Sequence, residues 1–195
     1  SLDATQNYTA SSNSSDYTIN KATPSLDITW TSPITYGTPS DAQGVETNDG
    51  DGDVVYNLYR EDGPGSGNYI SVSNPDNTIL GAGAWSYRFE ATEGANYSQL
   101  NYTLGSLTVN QASSSINLTL GGVQGNASID EDTSIDLNCS TLSGDSGAHL
   151  VLYNNGTLIN NGTSPIGNTT LFSEPGDYNI TCVYENTQNY TTSSE

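Results

Sequence analysis

Few residues in this sequence could do chemistry, and their spacing decides of what kind. The lone histidine, His149, opens an alternating stretch without a distinguishing context, so a nucleophilic triad has almost no base to draw on. Paired carboxylates are too common along the chain to single out a glycosidase pair, which would need a deep pocket. The sharpest local pattern is N-D-G-D-G-D, Asn48 to Asp53. Carboxylates at Asp49, Asp51 and Asp53, spaced by glycines, can curl around a hard cation such as Ca2+. The run departs from the EF-hand loop, with Val54 where the glycine belongs and Arg60 where the closing Glu belongs. A solvated acidic turn is the competing reading. Asp130, Glu131 and Asp132 form a second turn of this kind.

These residues sit in a chain of 195 residues with a formal charge of −19 and three Lys or Arg: Lys21, Arg60 and Arg88. Such a polyanion repels nucleic acid and anionic membrane, which excludes both as partners. No apolar run approaches membrane-spanning length, and no signal peptide is visible. Asn, Ser, Thr, Tyr and Gly dominate, yet apolar residues alternate regularly, which argues for strands rather than disorder. The 13 tyrosines alternate with Ser and Thr on these strands, and Trp30 and Trp85 are expected in the core.

The elements that must carry these residues are set out by a repeat. Tyr17–Trp30, Y-T-I-N-K-A-T-P-S-L-D-I-T-W, returns without a gap as Leu107–Leu120, L-T-V-N-Q-A-S-S-S-I-N-L-T-L. A period of about ninety residues is too long for a solenoid unit and right for a whole β-domain. Each copy then reads as the last strand of one domain running into the first strand of the next. The fold expected is all-β: two tandem immunoglobulin-like sandwiches, over 24–111 and 112–195, with 1–23 as the last hairpin and strand of a neighbouring domain. Strands are expected in the first at Leu26–Trp30, Ile34–Tyr36, Gly44–Glu46, Val54–Tyr59, Tyr69–Val72, Trp85–Glu90 and Leu104–Val109. In the second they are expected at Ile116–Leu120, Ala127–Ile129, Ile135–Cys139, Leu150–Tyr153, Thr157–Ile159, Thr169–Phe172 and Tyr178–Tyr184. The last strand of the second domain is expected to be missing, and to be supplied by a strand equivalent to residues 16–21 of the next unit.

Both ends carry the same landmark, A-T-Q-N-Y-T-A-S-S at Ala4–Ser12 and N-T-Q-N-Y-T-T-S-S at Asn186–Ser194. Two readings follow. One is a window from a longer tandem array, which the duplicated T-Q-N-Y-T favours. The other is strand complementation, with Tyr17, Thr18, Ile19 and Asn20 of one copy completing the open edge of another. In either case the partners are other copies, joined head to tail.

Gly83–Ala91 aligns with Gly176–Tyr184, placing Phe89 opposite Cys182, and a second offset places Val45 opposite Cys139. An apolar pair in one domain matching a cysteine pair in the other is what a core-spanning disulfide predicts; free buried thiols are the alternative. Such a bond would contribute on the order of 4 kcal/mol in the chain-entropy model. About a dozen N-x-S/T triplets, more than composition alone produces, favour N-linked glycans and an extracellular or cell-surface location. The candidate sites are Asn7, Asn13, Asn96, Asn101, Asn117, Asn126, Asn155, Asn161, Asn168, Asn179 and Asn189, and Asn138, beside Cys139, is expected to be the least accessible sequon.

At T-I-N-K-A-T-P…I-T-W…I-T-Y-G-T-P (Thr18–Pro39) and G-A-W-S-Y-R-F-E-A-T-E-G-A-N-Y (Gly83–Tyr97), the sequence resembles the MBG-type immunoglobulin-like tandem repeats of giant bacterial and archaeal surface proteins. The second domain lacks Y-G-T-P and carries the cysteines; it resembles the Cys-containing repeats of archaeal surface proteins. The resemblance implies secreted, non-enzymatic modules strung in series, and supplies no ligand. The expectation is a structural unit of a surface filament or rod; the alternative is stalk or ligand-binding repeats of an adhesin or S-layer-associated protein. No cofactor is expected beyond N-linked glycans and Ca2+ at the Asp49 loop.

Overall fold

The computed structural model describes residues 6–9 and 11–195. A first set of strands comprises β1 (Leu26–Thr29), β2 (Ile34–Thr35), β3 (Gln43–Glu46), β4 (Tyr56–Glu61), β5 (Tyr69–Val72), β6 (Gly83–Ala91) and β7 (Leu100–Asn110). A second set comprises β8 (Ser115–Leu120), β9 (Thr133–Ser143), β10 (His149–Asn154), β11 (Thr157–Thr163), β12 (Ile166–Phe172), β13 (Ile180–Tyr184) and β14 (Ser193–Ser194). The protein is all-β, as expected.

The period-2 pattern becomes burial. In β6, Trp85, Tyr87, Phe89 and Ala91 are buried while the residues between them are half-exposed. In β8 and β9, Ile116, Leu118, Leu137 and Cys139 play the same part. The first set forms the sheets β2-β7-β6-β4-β5 and β1-β3; the second forms β11-β10-β13-β14 and β12-β9-β8. Each pair of sheets encloses its own core, one from Ile28 to Val109 and the other from Ile116 to Tyr184. We call these halves the N-terminal and C-terminal modules. The β10–β11 hairpin turns at Asn155 and Gly156, both at positive φ (45° and 77°), as a two-residue loop of this hand requires.

Pairing registers give the equivalence of the modules directly. Ile28 faces Gly44 as Leu118 faces Cys139, and Leu58 faces Phe89 as Leu152 faces Cys182. The position matching Cys139 is therefore Gly44, not Val45. The expected offset was one residue out, and on a strand that slip exchanges the core face for the other. Gly44 is required by what it faces: a Cβ there would come within 2.4 Å of the Phe89 ring. Phe89 thus fills the space that the disulfide occupies in the other module.

Beside β3 the N-terminal module has only isolated bridges, Ala42↔Asp76 and Pro39↔Ile79, where the C-terminal module has β12. The side chain of Asn74 stands in for the missing ladder: Gly44 N–H donates to its Oδ1 (3.0 Å), and its Nδ2 donates to Gly44 O (2.8 Å).

Three expected strands differ. Ala127–Ile129 is not a strand, and the last ladder strand before the final hairpin begins at Ile180 rather than Tyr178. The final strand of the C-terminal module is not wholly missing, since β14 is present, but it pairs with β13 only at Val183 and Tyr184. Glu195 extends it by one reciprocal pair with Cys182. Tyr17–Asn20 carries no strand pairing here.

Candidate functional site: the open edge of the C-terminal module

In the N-terminal module, the end of β7 lies between two neighbours. β6 pairs with it antiparallel, Gly83↔Val109, Ala84↔Thr108 and Trp85↔Leu107, and β2 pairs with it in parallel at Val109 and Asn110. Leu107 and Val109 enter the core at 0% and 3% exposure. In the C-terminal module the residues matching Gly83, Ala84 and Trp85 are Gly176, Asp177 and Tyr178. They line a cleft of about 820 Å³ together with Leu120, Ile135, Leu137 and Ile180 from β8, β9 and β13. The remaining walls are the coil Asn126–Glu131, which corresponds to the β2 region, and Phe172, Glu174 and Pro175.

This explains both missing strands. β2 and the start of β6 owe their strand form to hydrogen bonds with the end of β7. The cleft holds no such strand among the described residues, so Ala127–Ile129 and Tyr178–Asn179, although strand-like in sequence, stay as coil. Exposed apolar groups mark the opening: Ile129 is 41% exposed and Tyr178 37%. Tyr178 packs on Phe172 at 4.3 Å between ring centroids, its hydroxyl donating to Glu174 O. Carboxylates of Asp130, Glu131, Glu174 and Asp177 lie around the same opening and make it acidic.

The segment that matches the end of β7 elsewhere in the chain is Tyr17–Asn20. Tyr17 is 86% exposed and Ile19 83%, a high exposure for large apolar groups. Its root is held firmly. Ala22 N–H donates to Asn96 O (2.9 Å), Ser98 N–H donates to Ala22 O (2.8 Å), and Lys21 pairs with Glu93. The hydrogen bond from Lys21, and then its charge, hold the Glu93 carboxyl below the usual range. The same clamp recurs between the modules. Ala112 N–H donates to Asn189 O (2.8 Å), Thr191 N–H donates to Ala112 O (2.9 Å), and Gln111 in place of Lys21 donates to Asn186 Oδ1 (3.0 Å). Between modules there are further contacts. Ala82 N–H donates to Asn189 Oδ1 (3.0 Å), Gln188 donates to Ala82 O (3.3 Å), and Tyr36 meets Tyr190 edge-on at 5.4 Å.

The disulfide Cys139–Cys182 is present, with Cα atoms 6.3 Å apart, and joins β9 to β13 across the core. The acidic loop is stitched to protein donors. Tyr56 O–H donates to Asp51, Ala95 N–H to Asp53 (2.6 Å) and Tyr97 O–H to Asp49 O (2.9 Å). Burial first, and then the Asp51 acceptor, push the Tyr56 hydroxyl up to about 12. Among the described residues no three His, Cys, Asp or Glu side chains are grouped to hold a metal ion. The Nδ1 of half-buried His149 lies 3.2 Å from a carboxylate oxygen of exposed Glu185.

The sequons divide by exposure. Asn7, Asn13, Asn96, Asn101, Asn126, Asn155, Asn161 and Asn179 are exposed, and so is Asn138, contrary to expectation, because it points away from the core on β9. Asn117 is half-buried beside Gln124. Asn168 is half-buried and donates to Ile159 O (3.1 Å), and Asn189 is held in the contact between modules. The cleft walls and the Asn189 contact were not foreseen; carrying the internal alignment onto Leu120, Tyr178 and Ile180 would have found them. Among the described residues no helix is long and apolar enough to cross a membrane. No family model matches the chain, and no curated protein matches it significantly.

Proposed function

We propose that the chain is the structural unit of an extracellular rod or filament of immunoglobulin-like modules, joined head to tail through the cleft of the C-terminal module. The occupant is the Tyr17–Asn20 segment of a second copy. It enters in the place that the end of β7 takes beside β6, with Tyr17 and Ile19 pointing inward as Leu107 and Val109 do in the N-terminal module. The observation that carries this reading is the match between the cleft at Gly176–Tyr178 and the exposed segment, both equivalent to paired, buried partners elsewhere in the chain. Strand addition of this kind gives main-chain hydrogen bonds for affinity and alternate side-chain pockets for register. The disulfide and the polar, sequon-rich surface support an oxidising extracellular setting. The clamps at Ala22 and Ala112 support a stiff array, because each joint is hydrogen-bonded to the module it enters. The family resembled in sequence, the MBG-type surface repeats, fits the same role.

Register makes the reading testable. Thr108 faces Ala84 in the N-terminal module, so Thr18 should face Asp177 between copies. The double variant Thr18→Cys with Asp177→Cys, oxidised under native conditions, is expected to give a ladder of disulfide-linked oligomers on a non-reducing gel. Thr18→Cys with Ser173→Cys should give none. Monomer alone from the first pair overturns strand exchange. If the natural polypeptide remains many units long after reduction, the join is covalent repetition and not exchange between chains.

A further inference from the structure

Resting on that reading, we infer that the cleft is shaped for an aromatic residue at Tyr17, and that the two modules reject each other's closing strand. Around the end of β7 the N-terminal core contains Trp30, Trp85 and Tyr87, with Trp30 and Tyr87 stacked at 6.4 Å. Trp30 lies so close over β7 that a Cβ at position 105 would fall 1.9 Å from its ring, which only Gly105 avoids. In the C-terminal module the matching positions are Leu120, Tyr178 and Ile180, all on the cleft wall. Every one of these three wall positions is smaller than its counterpart.

The closing strand changes in the opposite sense at each inward position. Gly105, Leu107 and Val109 correspond to Ser15, Tyr17 and Ile19. Close packing requires total volume to be conserved across such a contact, and a wall that shrinks at three places suits a strand that grows at three. The converse is a steric exclusion. Ser15 cannot lie under Trp30 without displacing it, so the Tyr17 segment cannot replace β7 in the N-terminal module. A Leu-bearing strand in the C-terminal cleft would leave the space of the lost rings unfilled, which costs both contacts and burial. Growth is thereby directed to one acceptor per copy.

The test is a competition on the full chain carrying Tyr17→Asp and Ile19→Asp, which removes the chain's own segment as a competitor while altering only exposed side chains. A fluorescent peptide of residues 14–22 is titrated against it, followed by the same peptide with Tyr17→Leu and by a peptide of residues 104–112. The Tyr17 peptide is expected to bind about tenfold or more tightly than either competitor, the worth of one to two buried methylenes' area. Equal or tighter binding of the Leu peptides overturns the aromatic specificity and leaves strand exchange standing. No binding by any peptide overturns both. Refilling the cleft with Ile180→Tyr should reverse the preference toward residues 104–112; if that variant fails to fold, the competition on the parent chain decides.

Discussion

The two modules tie their facing sheets together in different ways, one by packing and a buried ion pair and the other by a covalent bond. In the N-terminal module β6 and β7 pair along nearly their whole length, and the sheets are joined by packing of Phe89 on Gly44 and by a buried polar cluster. That cluster is Arg60 on β4, Tyr87 on β6 and Asp76 beside β3, with Arg60 and Tyr87 both donating to the Asp76 carboxylate. In the C-terminal module the last ladder is short, the core opens into a cleft, and the tie is covalent. A bond of this kind constrains the unfolded chain, whereas packing and ion pairing act in the folded one.

The largest expected effect breaks the covalent side of this comparison. Replacing both Cys139 and Cys182 by Ser, which opens a loop with a sequence separation of 43, should destabilise the C-terminal module by about 4 kcal/mol. Denaturant unfolding should then resolve two transitions, the later one unmoved. A single transition shifting as a whole would mean that the modules unfold as one.

The polar side comes next. Asp76 is 2% exposed, and removing its charge with Asp76→Asn leaves Arg60 buried without its counter-ion, at a cost of about 3 kcal/mol to the N-terminal module. Acid should do the same gradually. Burial alone would raise the Asp76 carboxyl, but hydrogen bonds from Thr78 and Tyr87 and the Arg60 charge outweigh it and hold it below the ordinary range. Glu61, buried yet bonded by the N–H groups of Ser86, Gly67 and Gly65, is depressed as well. A carboxyl depressed on folding contributes fully above its unfolded value, about 3.9 for Asp and 4.3 for Glu, and loses that contribution as pH falls through the folded value. Stability of the N-terminal module measured from pH 7 downward should therefore be flat to about pH 4 and fall below it. A decline beginning well above pH 5 would contradict the assignment.

The reciprocal exchange sharpens the comparison further. Gly44→Cys with Phe89→Cys would place a disulfide at the positions matching Cys139 and Cys182. It should stabilise the N-terminal module by at most about 1 kcal/mol, because the roughly 4 kcal/mol gained from the bond is mostly offset by about 3 kcal/mol or more lost with the Phe89 ring. Gly44→Cys alone should destabilise, since its Cβ meets the ring at 2.4 Å.

How much of this could be read from the sequence depends on which contacts alternation encodes. Period-2 burial made β6, β8 and β9 legible, and the gapless repeat from Tyr17 to Leu120 made the register of β1 and β8 legible. The disulfide followed from the matched Phe89 and Cys182. The Val45 offset is carried from the match of Leu58–Tyr59 with Leu152–Tyr153, and it slips because the stretch from Gly44 to Leu58 is one residue longer than that from Cys139 to Leu152. Ala127–Ile129 and Tyr178–Asn179 were read as strands because their residues favour strands; strand form there depends on a partner that intrinsic preference cannot supply. The polar cluster was invisible because Arg60 and Asp76 meet only through the fold.

The smallest effect concerns the joint between modules, where two equivalent asparagines have different surroundings. Asn189 accepts from Ala82 N–H across the joint, while its counterpart Asn96 donates to Gly50 O within its own module and is exposed. Asn189→Ala should therefore cost about 1 kcal/mol, the net worth of one such hydrogen bond, and Asn96→Ala less than about half of that. The readout is the coupling between the two unfolding transitions, which Asn189→Ala should separate and Asn96→Ala should not. Both residues begin an N-x-S/T triplet, so exposure predicts glycan occupancy at Asn96, which is open to solvent, but not at Asn189, which is half-buried in the contact between modules. Site-resolved mass spectrometry of the natural protein reads this directly. A glycan at Asn189 would mean that the joint is open when the protein is modified, and the clamp at Ala112 would then have to close around it.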